Sequence, residues 1–211
     1  MYTPDAFKED NRDIAHALIE EIRLGSVISS AEHIEASLVA FLLDRQAGAH
    51  GRLIGHCARA NPQWRVFDGE PEVLVTFLGP NTHVSPSWYG TQPRAPTWLY
   101  ASVHVRGKVR LVHDRAALKN IVVRLSREME AHDSPWNIDQ VEDYVDRILP
   151  GIVGFTIDIS SIETQLRLAQ QNTLTDRRRV LRALDKGGPM QQAVAALVHR
   201  FAFRDVGDPD S

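Results

Sequence analysis

Leu99-Tyr100-Ala101-Ser102-Val103-His104-Val105-Arg106-Gly107-Lys108-Val109-Arg110-Leu111 is the stretch on which the fold turns. Leu99, Ala101, Val103, Val105, Val109 and Leu111 alternate with Tyr100, Ser102, His104, Arg106, Lys108 and Arg110, the period of two that a strand with one apolar and one basic face presents. Upstream lie shorter β-like runs at Ser26 to Ser29, Ser37 to Leu43, Arg52 to Cys57 and Val73 to Leu78. Turn signals at Gly48, Gly51, Asn61-Pro62 and Gly69 separate them. Downstream, Ile152 to Ile159 and Thr164 to Ala169 read as a further strand pair. Short strands at this spacing predict a barrel or a sandwich.

Helical patterns surround the strands. Asp10 caps a helix from Asn11 whose edge is Ile14, Leu18 and Ile22, and Gly25 is placed at its end. Asp114 caps another with Leu118, Ile121, Val122, Leu125 and Met129 inward, and Ile138, Val141, Val145 and Ile148 mark a third before Pro150-Gly151. Thr175 to Ala183 and Met190 to Phe203 read as the last two. Strands on both sides of the central helices predict one α+β domain over residues 1–172, with residues 173–211 as its helical C-terminal extension.

A chain of 211 residues, 43% hydrophobic and 24% charged, can bury a substantial core. Its net charge of −3 gives no overall pull towards phosphate backbones, so nucleic acid stays open as a partner only through a local patch. The single cysteine, Cys57, rules out an intrachain disulfide and any multi-cysteine metal site. No apolar run approaches the roughly 20 residues of a membrane span. The N-terminal residues are acidic where a secretory leader is basic and then apolar, so the cytoplasm is the expected location.

Gly55-His56-Cys57-Ala58-Arg59-Ala60-Asn61-Pro62-Gln63-Trp64 leaves a strand and enters a helix, with Asn61 as N-cap and Pro62 at the first helical position. Such a start can hold a phosphate, although an ordinary capped helix is the commoner use of the pattern. Ser87-Trp88-Tyr89 and Thr97-Trp98-Leu99-Tyr100 bring four large aromatics to one region. They suit a flat heterocycle, or equally the plug of a barrel or a subunit interface. His56 and Cys57, as neighbours on a strand, point to opposite faces and make a poor base and nucleophile. None of the nine histidines falls in a zinc-binding spacing, so no metal is expected. Arg177-Arg178-Arg179 reads as an exposed, ion-paired helix face diluted by Glu163, Asp176 and Asp185.

Gly55-His56-x-Ala58-x-x-Asn61-Pro62-Gln63-Trp64, Val84-Ser85-x-Ser87-Trp88-Tyr89 and Pro96-Thr97-Trp98-x-Tyr100-x-x-Val103-His104-x-x-Gly107 stand in the order found in the PaiB-type FMN-binding negative transcriptional regulators, which this chain resembles along nearly its whole length. Ile152-Val153-Gly154-Phe155, Gln170 and Asn172 add a weaker block. The resemblance implies a six-stranded split β-barrel of the pyridoxamine-phosphate-oxidase kind, a homodimer, and FMN near the dimer interface. It places His56, Ala58, Asn61, Gln63 and Trp64 at the phosphate end and Trp88, Tyr89, Trp98 and Tyr100 around the ring, with Ser87, Thr97 and Gln170 also among the cofactor-binding residues. Ser37-Leu38-Val39-Ala40 replaces a family stretch of the type Thr-His-Leu-Pro, and Leu99 stands where Asn is usual. These departures at Leu38, Ala40 and Leu99 remove hydrogen-bonding groups expected near the flavin. The resemblance implies an FMN-binding regulator; a flavin-dependent oxidoreductase, a haem-binding split-barrel protein and a direct DNA-binding repressor are the alternatives.

Overall fold

The computed structural model describes residues 1–131 and 133–204. Its strands are β1 (Lys8–Glu9), β2 (Leu24–Ser30), β3 (Ile34–Asp44), β4 (Arg52–Ala58), β5 (Glu72–Val84), β6 (Thr97–Val112) and β7 (Ile152–Arg167). The α-helices are α1 (Arg12–Ile22), α2 (Arg115–Met129), α3 (Glu142–Ile148), α4 (Leu174–Asp185) and α5 (Pro189–Ala202). Strand order in the antiparallel sheet is β1-β7-β4-β3-β2-β5-β6, and β7 also pairs with β6. Six strands therefore follow one another in a ring, less regular than a barrel, with β1 on its margin: the split-barrel arrangement expected from the sequence. Among the described residues no helix is long and apolar enough to cross a membrane.

The chain divides into two compact units, one from residues 1–11, 78–103 and 163 onward, the other from residues 12–77 and 104–162. In the latter, Phe41 on β3 meets Phe77 at 5.9 Å and Phe155 at 6.1 Å between ring centroids, edge to face, and Phe155 meets Phe67 at 5.1 Å. Edge-to-face contact sets the positive ring edge on the negative face of its neighbour and adds to the burial energy. Two glycines make the space. A Cβ on Gly25 would lie 2.8 Å from both Phe77 and Val75, and one on Gly55 would lie 3.0 Å from Phe41. Gly25 is thus a packing residue of β2, not the stop of α1. That stop is made by Arg23, at φ 58°, whose N–H reaches the Ile19 carbonyl at 2.8 Å.

The other face of β3 and β4 carries Leu42 and Ile54, which α2 covers with Ile121 and Leu125. Asp114 caps α2 as expected, accepting from the Ala117 N–H at 2.7 Å. Towards the start of β3 the cover ends. Register pairs Leu24 with Ala40, Ser26 with Leu38, Ile28 with Ala36 and Ser30 with Ile34, and directly paired residues share a face. On it Ile34 is 75% exposed, Leu38 70% and Leu24 50%.

The expected strand pair at Ile152 to Ile159 and Thr164 to Ala169 is one strand, β7, of 16 residues. Ser160 and Ser161 look like a turn but continue the ladder, and the Ser160 hydroxyl donates to the Arg106 carbonyl at 3.1 Å. In the other unit, α4 buries Val180, Leu181 and Leu184 and packs on α5, which buries Val194, Leu197, Val198 and Phe201. Arg177 donates to the Asn172 and Ala202 carbonyls at 2.8 Å and to that of Gln170, tying the end of α5 to the start of α4.

Gly25→Ala should destabilise the protein by about 1–3 kcal/mol, the usual cost of overpacking a rigid core. A urea midpoint lowered relative to wild type, with an unchanged slope, is the expected result.

Candidate functional site

The phosphate-side residues lie on β4 and the 3-10 turn Pro62–Phe67 that follows it. Asn61 caps this turn: its Oδ1 accepts from the Gln63 N–H at 3.0 Å, and its Nδ2 donates to the Ser37 hydroxyl at 2.8 Å. Six residues of 3-10 helix replace the expected longer helix, so little aligned dipole stands behind its N-terminus. The Gln63 side chain is buried and gives its amide hydrogens to Val27 O, Ser29 Oγ and Glu35 O, which fastens the turn to β2 and β3. Trp64 donates to the Arg59 carbonyl at 2.9 Å, and Arg59 spends its guanidinium on the carbonyls of Pro150 and Ile152. Arg65 remains exposed over the Trp64 ring. Ala58 is exposed and His56 is half-buried, with its Nδ1 buried and unbonded among the described residues. Burial pushes the His56 pKa down, so the ring is neutral at pH 7. Burial pushes the Cys57 thiol up, against the pull of Arg59. A neutral thiol is a poor nucleophile.

The ring-side residues sit in the other unit. Trp98 on β6 is 52% exposed and meets His83 edge to face at 6.4 Å; Tyr100, two residues along the same face, is half-buried. Thr97 accepts from Arg167 at 2.7 Å, and the Ser87 and Ser85 hydroxyls lie 2.8 Å apart. Tyr89 is buried beneath the Arg94 guanidinium, 4.9 Å from its ring centroid. Gln170 closes the turn after β7 on itself, accepting from the Leu168 N–H and donating to the Leu166 carbonyl. Trp88 turns to α4, whose Arg179, Arg182 and Ala183, with Lys186 at the C-cap, line a groove with it.

Asp176 is the residue that sequence reasoning misplaced. It is fully buried, so it does not dilute the arginines beside it. Its carboxylate accepts from the Gly90 N–H and the Thr91 hydroxyl at 2.6 Å and from Arg94 at 2.8 Å, locking the loop after Tyr89 to the first turn of α4. The hydroxyl of Thr91, the Gly90 N–H and Arg94 hold its pKa below the usual carboxylate range against the opposing effect of burial. The local signal, Thr173 capping α4 three residues before Asp176, is visible in sequence and the partners are not.

Residues 1–161 match the family described as "Putative FMN-binding domain". The chain belongs to that family. It is also 30% identical over 200 residues to the Bacillus subtilis protease synthase and sporulation protein PAI 2, covering 94% of this chain and 96% of the relative. Its fold is similar to that of the FAD and heme binding protein from Mycobacterium smegmatis, with TM-score 0.56 and 14% identity over 76% of this chain and 73% of that one. The flavocytochrome Anf3 from Azotobacter vinelandii matches with TM-score 0.55 and 11% identity over 76% and 69% of the two chains. At such identities the likeness is one of fold. The family match and the PAI 2 relative bear out the PaiB-type reading, and these structures agree with the fold.

Asp176→Asn should lower the urea midpoint at pH 7, because it removes a charge held by three donors. A depressed folded pKa means that this stabilisation is present above the unfolded value, about 3.9, and is lost as pH falls through the folded one. The difference between wild type and variant should therefore shrink below about pH 4, as followed by denaturation at several pH values.

Proposed function

We propose that this chain is an FMN-binding regulatory protein of the PAI 2 type, acting as a cytoplasmic homodimer. The observation that carries the reading is the match to PAI 2 along almost the whole chain inside a family described by its FMN-binding domain. The residues present fit a flavin. The buried, unbonded His56 Nδ1 calls for a polar partner, and the exposed Trp98 beside Tyr100 offers aromatic surface to a flat ring. In one unit, His56, Ala58 and the turn from Asn61 to Trp64, with Arg65 supplying charge, are the residues proposed for the phosphate; in the other, Ser87, Trp98 and Tyr100 are those proposed for the ring. The side chains of Asn61, Gln63, Tyr89, Thr97 and Gln170 act in positioning, since their polar atoms or rings are engaged within the fold. FMN, when bound, supplies a redox-active ring on a phosphate handle.

The bare apolar face of β2 and β3 supports the dimer. Ile34, Leu38 and Leu24 form a contiguous strip at the edge of the α2 cover, and a second copy presenting the same strip would bury both. Regulation is proposed to be indirect, because the sequence carries no DNA-reading motif.

FMN should bind at least about tenfold more tightly than riboflavin, the factor expected from charge-assisted contacts to the phosphate. Equal affinities in fluorescence titration would move the phosphate away from the Asn61 turn. Light scattering should return twice the 23.7 kDa chain mass. Leu38→Glu, which sets a charge in the centre of the apolar strip, should shift the protein to monomer while leaving its circular dichroism unchanged.

A further inference from the structure

The basic face of α4 has no role in the flavin reading. Arg179, Arg182 and Lys186 lie three and seven residues apart, which at 100° per residue sets all three within about 60° of one another along about 10 Å of helix. With Ala183 between them and Trp88 opposite, they line a groove of about 500 Å³. Among the described residues none of these three cations makes an ion pair, and the one carboxylate in the first turn of the helix, Asp176, is buried and taken by Arg94. Arg182 spends only its Nε, on the Arg178 carbonyl at 3.3 Å. Ala183 is the small residue of the face and leaves its floor open.

The groove is built as well as charged. The Asp176 lock fixes Gly90 and Thr91, the residues that directly follow Trp88-Tyr89, to the same helix that bears the cations. Arg179 packs on the loop backbone, where a Cβ on Gly90 would lie 3.0 Å from its guanidinium carbon. The half-buried indole and the Arg179 guanidinium thus sit on elements that Asp176 ties together, which lowers the entropy a ligand loses in fixing them.

We infer that this groove binds a nucleoside polyphosphate, the base against Trp88 and the phosphates across Arg179, Arg182 and Lys186. An indole face takes a planar base in stacking contact. Guanidinium groups meet phosphate oxygens with paired, charge-assisted hydrogen bonds. A single-stranded nucleic acid offers the same chemistry but needs a succession of aromatic platforms along a basic track. The groove has one aromatic and a short row of cations, which matches one nucleotide.

Adenosine triphosphate titrated calorimetrically into the purified protein, with and without excess FMN, tests this. It should bind with the same affinity in both conditions, and more tightly than tripolyphosphate or adenosine alone. Arg182→Glu should weaken it about tenfold or more while FMN affinity stays as in wild type. Trp88→Ala should weaken the nucleotide and leave tripolyphosphate unchanged. Displacement of the nucleotide by FMN would give the groove to the flavin and overturn the inference. An Arg182→Glu variant that binds as wild type does, or tripolyphosphate binding as tightly as the nucleotide, would also overturn it. Tighter binding of a decathymidine strand that displaces the nucleotide would assign the groove to nucleic acid instead.

Discussion

Phe41 is the side chain on which the ring of strands is organised. Its contacts with Phe77 and Phe155 join β3 to β5 and β7 across the interior, and the ring can occupy that position only because β4 has no side chain at Gly55. Alternation along β3 then fixes the opposite face. With Phe41 inward, Leu42 must point outward, and α2 is needed to cover it and Ile54. The same alternation turns Leu38 outward beyond the reach of that cover, so the apolar strip follows from the placement of Phe41.

Much of this was legible in the sequence, for an identifiable reason. Strands with one buried face write their period directly, and β2 to β6 were recognisable from it. The failures share a different reason. Ser160-Ser161 has turn composition but sits in a ladder whose hydrogen bonds decide the conformation. Gly25 follows a helix and so reads as its stop, whereas its real constraint is Phe77, distant in sequence. Arg23, a residue seldom found at positive φ, takes the stop itself.

The functional blocks divide on the same principle. Sequence likeness groups Asn61, Gln63 and Trp64 with His56, yet Gln63 fastens its turn to β2 and β3 and Asn61 reaches across to Ser37. Residue types that suit a ligand also suit the fold that carries it. Only the hydrogen-bond partners separate them, and these are tertiary. Asp176 shows the converse: it looks like a surface charge at the start of a helix, but its partners lie 82 to 86 residues away.

The family match ends at residue 161, and Asp176 lies beyond it. The loop that follows Tyr89, inside the matched segment, is nevertheless held by that carboxylate, and β7 itself runs on to Arg167. A chain cut at the family boundary would keep the blocks from Gly55 to Gly107 and lose Gln170, Asn172 and the carboxylate that anchors the loop after Tyr89. The loop inside the family's segment is therefore held by a residue that lies outside it.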